Sequence, residues 1–163
     1  MNEETEPDDG GAETPERLRR LASRALGRAA AQADRIITEG LAEADAHRWH
    51  YAVLATLAEF GPASQATLSR RTGVHRSDMV GVLNTLAARG LVERAPNPAD
   101  RRRNVITLTP EGSARLADLD ALQTTLQDRV LAPLSPADRA LLHTLLDRLT
   151  AHHGQAGQPP WPA

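Results

Sequence analysis

The sequence predicts a mainly α-helical fold with one small β-hairpin (α+β). Three observations carry that expectation. Leu (22) and Ala (28) supply 50 of the 163 residues, against ten for Val and Ile together, and unbranched side chains favour helix. Apolar residues recur at three- and four-residue intervals along most of the chain. Alternating patterns occur in two short runs only, on either side of one Pro- and Arg-rich segment.

Residues 1–13 are acidic, with Pro7 and paired glycines, and are expected to be a disordered tail. Thr14-Pro15-Glu16 reads as a helix start, with Thr14 as N-cap and Pro15 at the first helical position. Leu18, Leu21, Ala25, Ala29, Ala33, Ile36, Ile37 and Leu41 then predict one long amphipathic helix. A second helix, near Ala46–Phe60, carries Trp49, Val53, Leu57 and Phe60 on one stripe and stops at Gly61-Pro62. Ser64 is expected to cap a short helix over Gln65–Thr72 that turns at Gly73. The next helix spans Arg76–Arg89 and ends at Gly90.

Two strand-like runs follow, Leu91–Ala95 and Asn104–Leu108, with Pro96–Arg103 as a charged hairpin tip. Thr109-Pro110-Glu111 repeats the cap-then-proline signature. It opens a helix bearing Leu116, Leu119, Leu122, Leu126 and Val130. Ser135-Pro136 opens the last, with Leu141, Leu145 and Leu149 on one stripe. Residues 153–163 are expected to be a flexible tail.

Composition excludes several chemistries. The chain has no cysteine, so disulfides, thiolate metal sites, iron–sulfur clusters and Cys nucleophiles are absent. The longest apolar run, Tyr51–Ala55, is far below the ~20 residues that span a bilayer. The acidic start lacks an apolar signal segment. No membrane association is expected, and the expected location is cytoplasmic, at the nucleoid. The net charge of −2 conceals a strong polarity: residues 1–16 carry −7 and residues 67–104 carry +5.

That basic stretch carries the function. Met79, Val82, Leu83 and Leu86 fall on one face of their helix and can pack on Leu68 and Val74. Ser77, Val80, Gly81, Asn84 and Ala88 fall on the opposite face, which has no long side chain. A DNA major groove can approach such a face closely: Ser77 and Asn84 offer hydrogen bonds to bases, and Val80 a contact for a thymine methyl. His75 and Arg76 stand at the N-terminal end. Arg101, Arg102 and Arg103 repel one another unless an anion lies nearby, and suit a narrow minor groove. Two short helices followed by a basic hairpin constitute a winged helix-turn-helix.

The segment Leu68–Gly112 resembles the MarR family of bacterial transcriptional regulators. The carrying residues are Gly90-Leu91-Val92-Glu93-Arg94, then Asp100-Arg101-Arg102, then Leu108-Thr109-Pro110-Glu111-Gly112. The resemblance implies that residues 46–109 bind DNA and that the helices within 14–45 and 110–152 form a homodimer. It implies a regulator, in its commonest form a repressor, on a pseudo-palindromic operator. By position, Arg102 is the wing arginine that reaches the minor groove, and Asp100 braces the wing through Arg94 or Arg102. Ser64 and Gln65 would meet phosphates with backbone N–H groups.

Many family members bind small aromatic or phenolic anions in a cleft that Trp49, His50 and Tyr51 would line here, although a core stripe is the first reading of the cluster, at least for Trp49. His47 and His50 lack an obvious third ligand, and no metal or other cofactor is expected. His75, Ser77 and Asp78 include the residue types of a catalytic triad, but neighbours on one helix cannot converge on a substrate. No enzyme activity is expected. Two alternatives stay open on the residues alone: a winged-helix protein–protein module, and a metal-responsive regulator.

Overall fold

The computed structural model describes residues 14–97 and 100–154, and at 97 and 100–103 it describes the backbone alone. The expected tail at 1–13 lies outside the described residues, as do residues 155–163 of the second tail; His153 is the last residue of a helix. Two compact units divide the chain between Arg35 and Ile36.

In the first unit the expected long helix is interrupted. A single turn, α1 (Glu16–Arg19), precedes α2 (Ala22–Glu43), and Pro15 rather than Thr14 occupies the N-cap, without a side-chain cap bond. Arg20, the C-cap of α1, pairs with Glu16 one turn back at 2.5 Å.

The second unit begins with the last residues of α2. It continues through α3 (Arg48–Phe60), β1 (Ala63–Ser64), α4 (Gln65–Thr72), α5 (Arg76–Ala88), β2 (Val92–Asn97), β3 (Asp100–Leu108), α6 (Pro110–Val130) and α7 (Pro136–His153). Local chemistry sets the ends. Ser64, Thr109 and Ser135 accept from the backbone N–H three residues on, and Pro110 and Pro136 open their helices. Gly73 closes α4 at φ 75° and Gly90 follows α5 at φ 69°, backbone that favours glycine.

One core joins α2 through Leu41, α3 through Val53, Leu54 and Leu57, and the helix-turn-helix through Leu68, Met79, Leu83 and Leu86; α6 adds Leu119 and Leu126. Phe60 departs from its expected stripe. It is exposed, with the Arg71 guanidinium 4.5 Å above its ring, so a cation–π contact covers it in place of core. On α7, Leu141, Leu145, Leu146 and Leu149 are exposed on the single chain.

The sheet has three strands in the order β1-β3-β2, all antiparallel, where the sequence predicts two. β1 pairs Ala63 with Ile106 and Ser64 with Val105. The hairpin is also longer than expected. Pairing passes Pro96↔Asn104 and resumes at Asn97↔Asp100, so Arg101–Arg103 form extra backbone within β3 rather than the tip of a loop. Pro96 has no N–H for the ladder, which accounts for the irregularity at that point.

Candidate nucleic-acid interface

The helix-turn-helix is α4, the Gly73 turn and α5. Burial of Met79, Val82, Leu83 and Leu86 fixes which side of α5 faces out, and that side presents Ser77, Val80, Gly81, Asn84 and Ala88, all exposed. Val80 is 45% exposed, and a Cβ placed at Gly81 would meet nothing within 4 Å. Arg76 is exposed at the first turn.

His75 is the N-cap of α5. Its Nδ1 accepts from Ser77 N–H at 3.4 Å and lies 2.8 Å from Ser77 Oγ. Ser77 Oγ also donates to Asp78 Oδ1 at 3.2 Å. The expected base-reading hydroxyl is thus held in a local network at the helix start. Asp78 sits in the first turn, where the helix dipole favours a carboxylate. Ser64 Oγ is likewise engaged, accepting from Thr67 N–H at 3.2 Å, and Gln65 is half-buried as the first residue of α4.

On the wing, Arg94 is exposed on β2 opposite Ile106. The backbone of Asp100, Arg101, Arg102 and Arg103 lies in β3, and their side chains, with the expected Asp100–Arg94 or Asp100–Arg102 brace, lie outside the described residues.

The Thr109 cap and its neighbours also hold the wing to the helices. Thr109 Oγ1 donates to Gly90 O at 2.7 Å and accepts from Gly112 N–H at 2.9 Å, while Thr109 N–H donates to Leu91 O at 3.2 Å. A Cβ at Gly112 would fall 2.0 Å from Leu91 O. The Thr-Pro-Glu-Gly run is therefore a joint between the α5–β2 corner and α6. Its cap signature was legible; its bond to Gly90, nineteen residues away, was not.

Trp49, His50 and Tyr51 are all half-buried on α3, with Trp49 and Tyr51 packed against the core. Tyr51 OH donates to Asp120 on α6 at 2.9 Å, and burial with that bond raises its pKa above the ordinary value of 10.0. Burial, then the nearby Arg89, lowers the pKa of His50 below 6.5; His47 and Arg115 add to this and Asp45 opposes it. His47 caps α3, its Nδ1 accepting from Trp49 N–H at 3.3 Å. Its pKa is lowered by burial and Arg48. No group of three or more metal-ligating side chains occurs among the described residues.

An exposed helix face of small side chains, carried on a helix-turn-helix and followed by an antiparallel basic hairpin, defines a winged-helix DNA-binding regulator. A MarR family model matches residues 44–103, from the α2–α3 turn to the arginines of β3. The transcriptional repressor NicR of Pseudomonas putida is 30% identical over 107 residues, 66% of this chain and 68% of that protein. BpsR of Bordetella bronchiseptica, whose DNA binding is regulated by 6-hydroxynicotinic acid, superposes with a TM-score of 0.74 at 25% identity, covering 84% of this chain and 98% of that one. MarR of E. coli complexed with operator DNA gives a TM-score of 0.68 at 25% identity, over 78% and 91% of the two chains. The chain belongs to the MarR family. It is a DNA-binding regulator. No helix among its described residues is long and apolar enough to cross a membrane.

Proposed function

We propose that this chain is a homodimeric transcriptional repressor, released from a pseudo-palindromic operator by a small aromatic acid. The observation that carries the reading is the outer face of α5, where small side chains surround Gly81 and nothing obstructs a groove. Ser77, Val80 and Asn84 read bases there, Arg76 and His75 contact the groove edge, and Ser64 and Gln65 at the start of α4 take phosphates. The exposed leucines of α7 form the dimer face. The NicR relative supports the sign of regulation, and BpsR supports an aromatic carboxylate as effector. Half-buried Trp49, His50 and Tyr51 supply stacking and donor groups of the kind such a ligand needs.

Selection of bound duplexes from a random pool tests the core of this reading. It should return inverted repeats with half-sites about ten base pairs apart. If the dimer neutralises about 8 phosphates, log affinity against log salt should have a slope of about −7. A slope near zero on the best duplex favours a protein–protein module. Adding 6-hydroxynicotinic acid to the complex tests the effector class, and unchanged affinity removes it.

The wing has its own test. Arg102→Ala should cost about 1–3 kcal/mol of operator affinity, whereas Arg101→Ala and Arg103→Ala should weaken all duplexes alike. Asp100→Ala should weaken binding although it removes a negative charge from a DNA-facing wing, because a brace is lost. Tighter operator binding by that variant, or equal effects of the three arginines, reduces the wing to a basic patch.

A further inference from the structure

We propose that Arg89 and Asp45 are positioning residues for DNA recognition, tying the C-terminal end of α5 to the α2–α3 turn and so setting the angle at which α5 meets a groove. The inference rests on the DNA-binding reading above. Arg89 is the C-cap of α5. Its Nη1 donates to the Asp45 carbonyl at 2.7 Å, and its Nη2 lies 3.1 and 3.0 Å from the two carboxylate oxygens. Asp45 has φ 51°, the left-handed backbone that no other non-glycine residue adopts among those described. Aspartate tolerates that conformation, and surrounding contacts must hold it there. A second guanidinium, that of Arg115 on α6, donates to the carbonyl of Ala44. Two successive carbonyls of one turn are thus capped by arginines from two other elements.

Stability does not explain the arrangement. The Asp45 carboxylate is 87% exposed and the Arg89 side chain 36%, and pairs this wet contribute little to folding. Four buried side chains already seat α5. What they leave soft is a small rocking of the helix. From Arg89 to Ser77 the helix rises about 18 Å, so a rock of about 5° moves Ser77 by roughly 1.6 Å. That displacement breaks a hydrogen bond to a base edge.

The test compares Arg89→Ala, Asp45→Gly and the double variant on a selected operator duplex and a scrambled one at fixed salt. Glycine accepts the backbone of Asp45, so that substitution removes the carboxylate alone. Arg89→Ala should lose about tenfold in operator affinity, the equivalent of one hydrogen bond, and Asp45→Gly a part of that, because its carbonyl still accepts from Arg89. The double should lose no more than Arg89→Ala, scrambled-duplex binding should change less than about twofold, and melting temperatures should stay close to wild type. Additive losses overturn the proposal. So does equal weakening of both duplexes by Arg89→Ala with no effect of Asp45→Gly, which makes Arg89 a phosphate contact. Hydrogen exchange without DNA separates this from the parent reading: amides of Thr85–Arg89 should exchange faster in both single variants, and unchanged exchange overturns the tie. Failure of the wild type to select any duplex sinks the DNA reading instead, and the exchange result still decides the tie.

Discussion

Gly112→Ala should destabilise the protein even though alanine is the better helix former. Gly112 lies in the first turn of α6, against the corner between α5 and β2. A Cβ there would sit 2.0 Å from Leu91 O, 3.0 Å from Leu91 C and 2.7 Å from a Leu108 methyl. Carbon and oxygen normally approach to about 3.3 Å, so the shortfall exceeds 1 Å, and the nearest obstacle is backbone. The start of α6 has to retreat, and two hydrogen bonds span the gap: Thr109 N–H to Leu91 O and Thr109 Oγ1 to Gly90 O. Overpacking costs about 1–3 kcal/mol and each strained bond about 1, against about 1 regained in helix propensity. The net is a loss of about 2–4 kcal/mol, or about 5–15 °C in melting temperature for a chain of this size.

Gly40→Ala supplies the control. Its Cβ would also clash, at 2.3 Å, but with a terminal methyl of Leu126. A side-chain end escapes by changing rotamer at about 0.5–1.5 kcal/mol, which the helix gain largely offsets. Denaturation of the three proteins at one concentration is the assay. A Gly112 variant as stable as wild type, or a Gly40 variant that loses more, refutes the reasoning that backbone obstacles decide the cost.

Gly81→Ala should do the opposite: open space around it predicts a gain of about 0.5–1 kcal/mol in stability, while operator affinity falls because a methyl group now stands at the closest approach to the groove. Melting and duplex titration moving in the same direction contradict that. Stability should fall on acidification, because His50 and His47 bind protons more weakly folded than unfolded. Their contribution is constant above pH 6.5 and is lost as pH drops from there toward the lowered folded values; urea midpoints at about pH 8, 6.5 and 5.5 should show the decline, and His50→Gln should reduce it. Leu145→Asp puts a charge on the exposed α7 stripe, 44% exposed at that position, at a cost of several kcal/mol if the stripe is a dimer face. Sedimentation should then show dissociation, and an intact dimer removes α7 from the interface.

The parts of this fold that were legible in the sequence are those decided within one turn of helix or one hairpin. Ser64, Thr109 and Ser135 announce their helices because a cap needs only an oxygen and an N–H three residues later. The buried stripe of α5 is legible because 3.6-residue periodicity selects it. β1 was not, since two residues have no periodicity and their partners, Val105 and Ile106, lie some forty positions on. Neither was the break after α1, which no proline or glycine marks. In the candidate interface, the exposure of Ser77 and His75 follows from the same periodicity. Their mutual hydrogen bonds, and that of Ser77 to Asp78, needed coordinates.

The same distinction separates what the family's motif residues do. Gly90 and Gly112 are both glycines of that motif, and for different physical reasons: the first adopts φ 69° with nothing near its missing Cβ, the second is helical and has no room for one. A substitution at Gly90 therefore strains a backbone, and one at Gly112 moves a helix. Only the second pushes on the joint that links α5, the wing and α6. Since Arg89 leads into Gly90, and Thr109 closes on it from the far end of the wing, the corner after α5 gathers both connections: one to the α2–α3 turn, one to the start of α6. The exposed face of α5 is made by its own residues, while the corner that ends the helix is bonded to two other elements, through Arg89 to Asp45 and through Gly90 to Thr109.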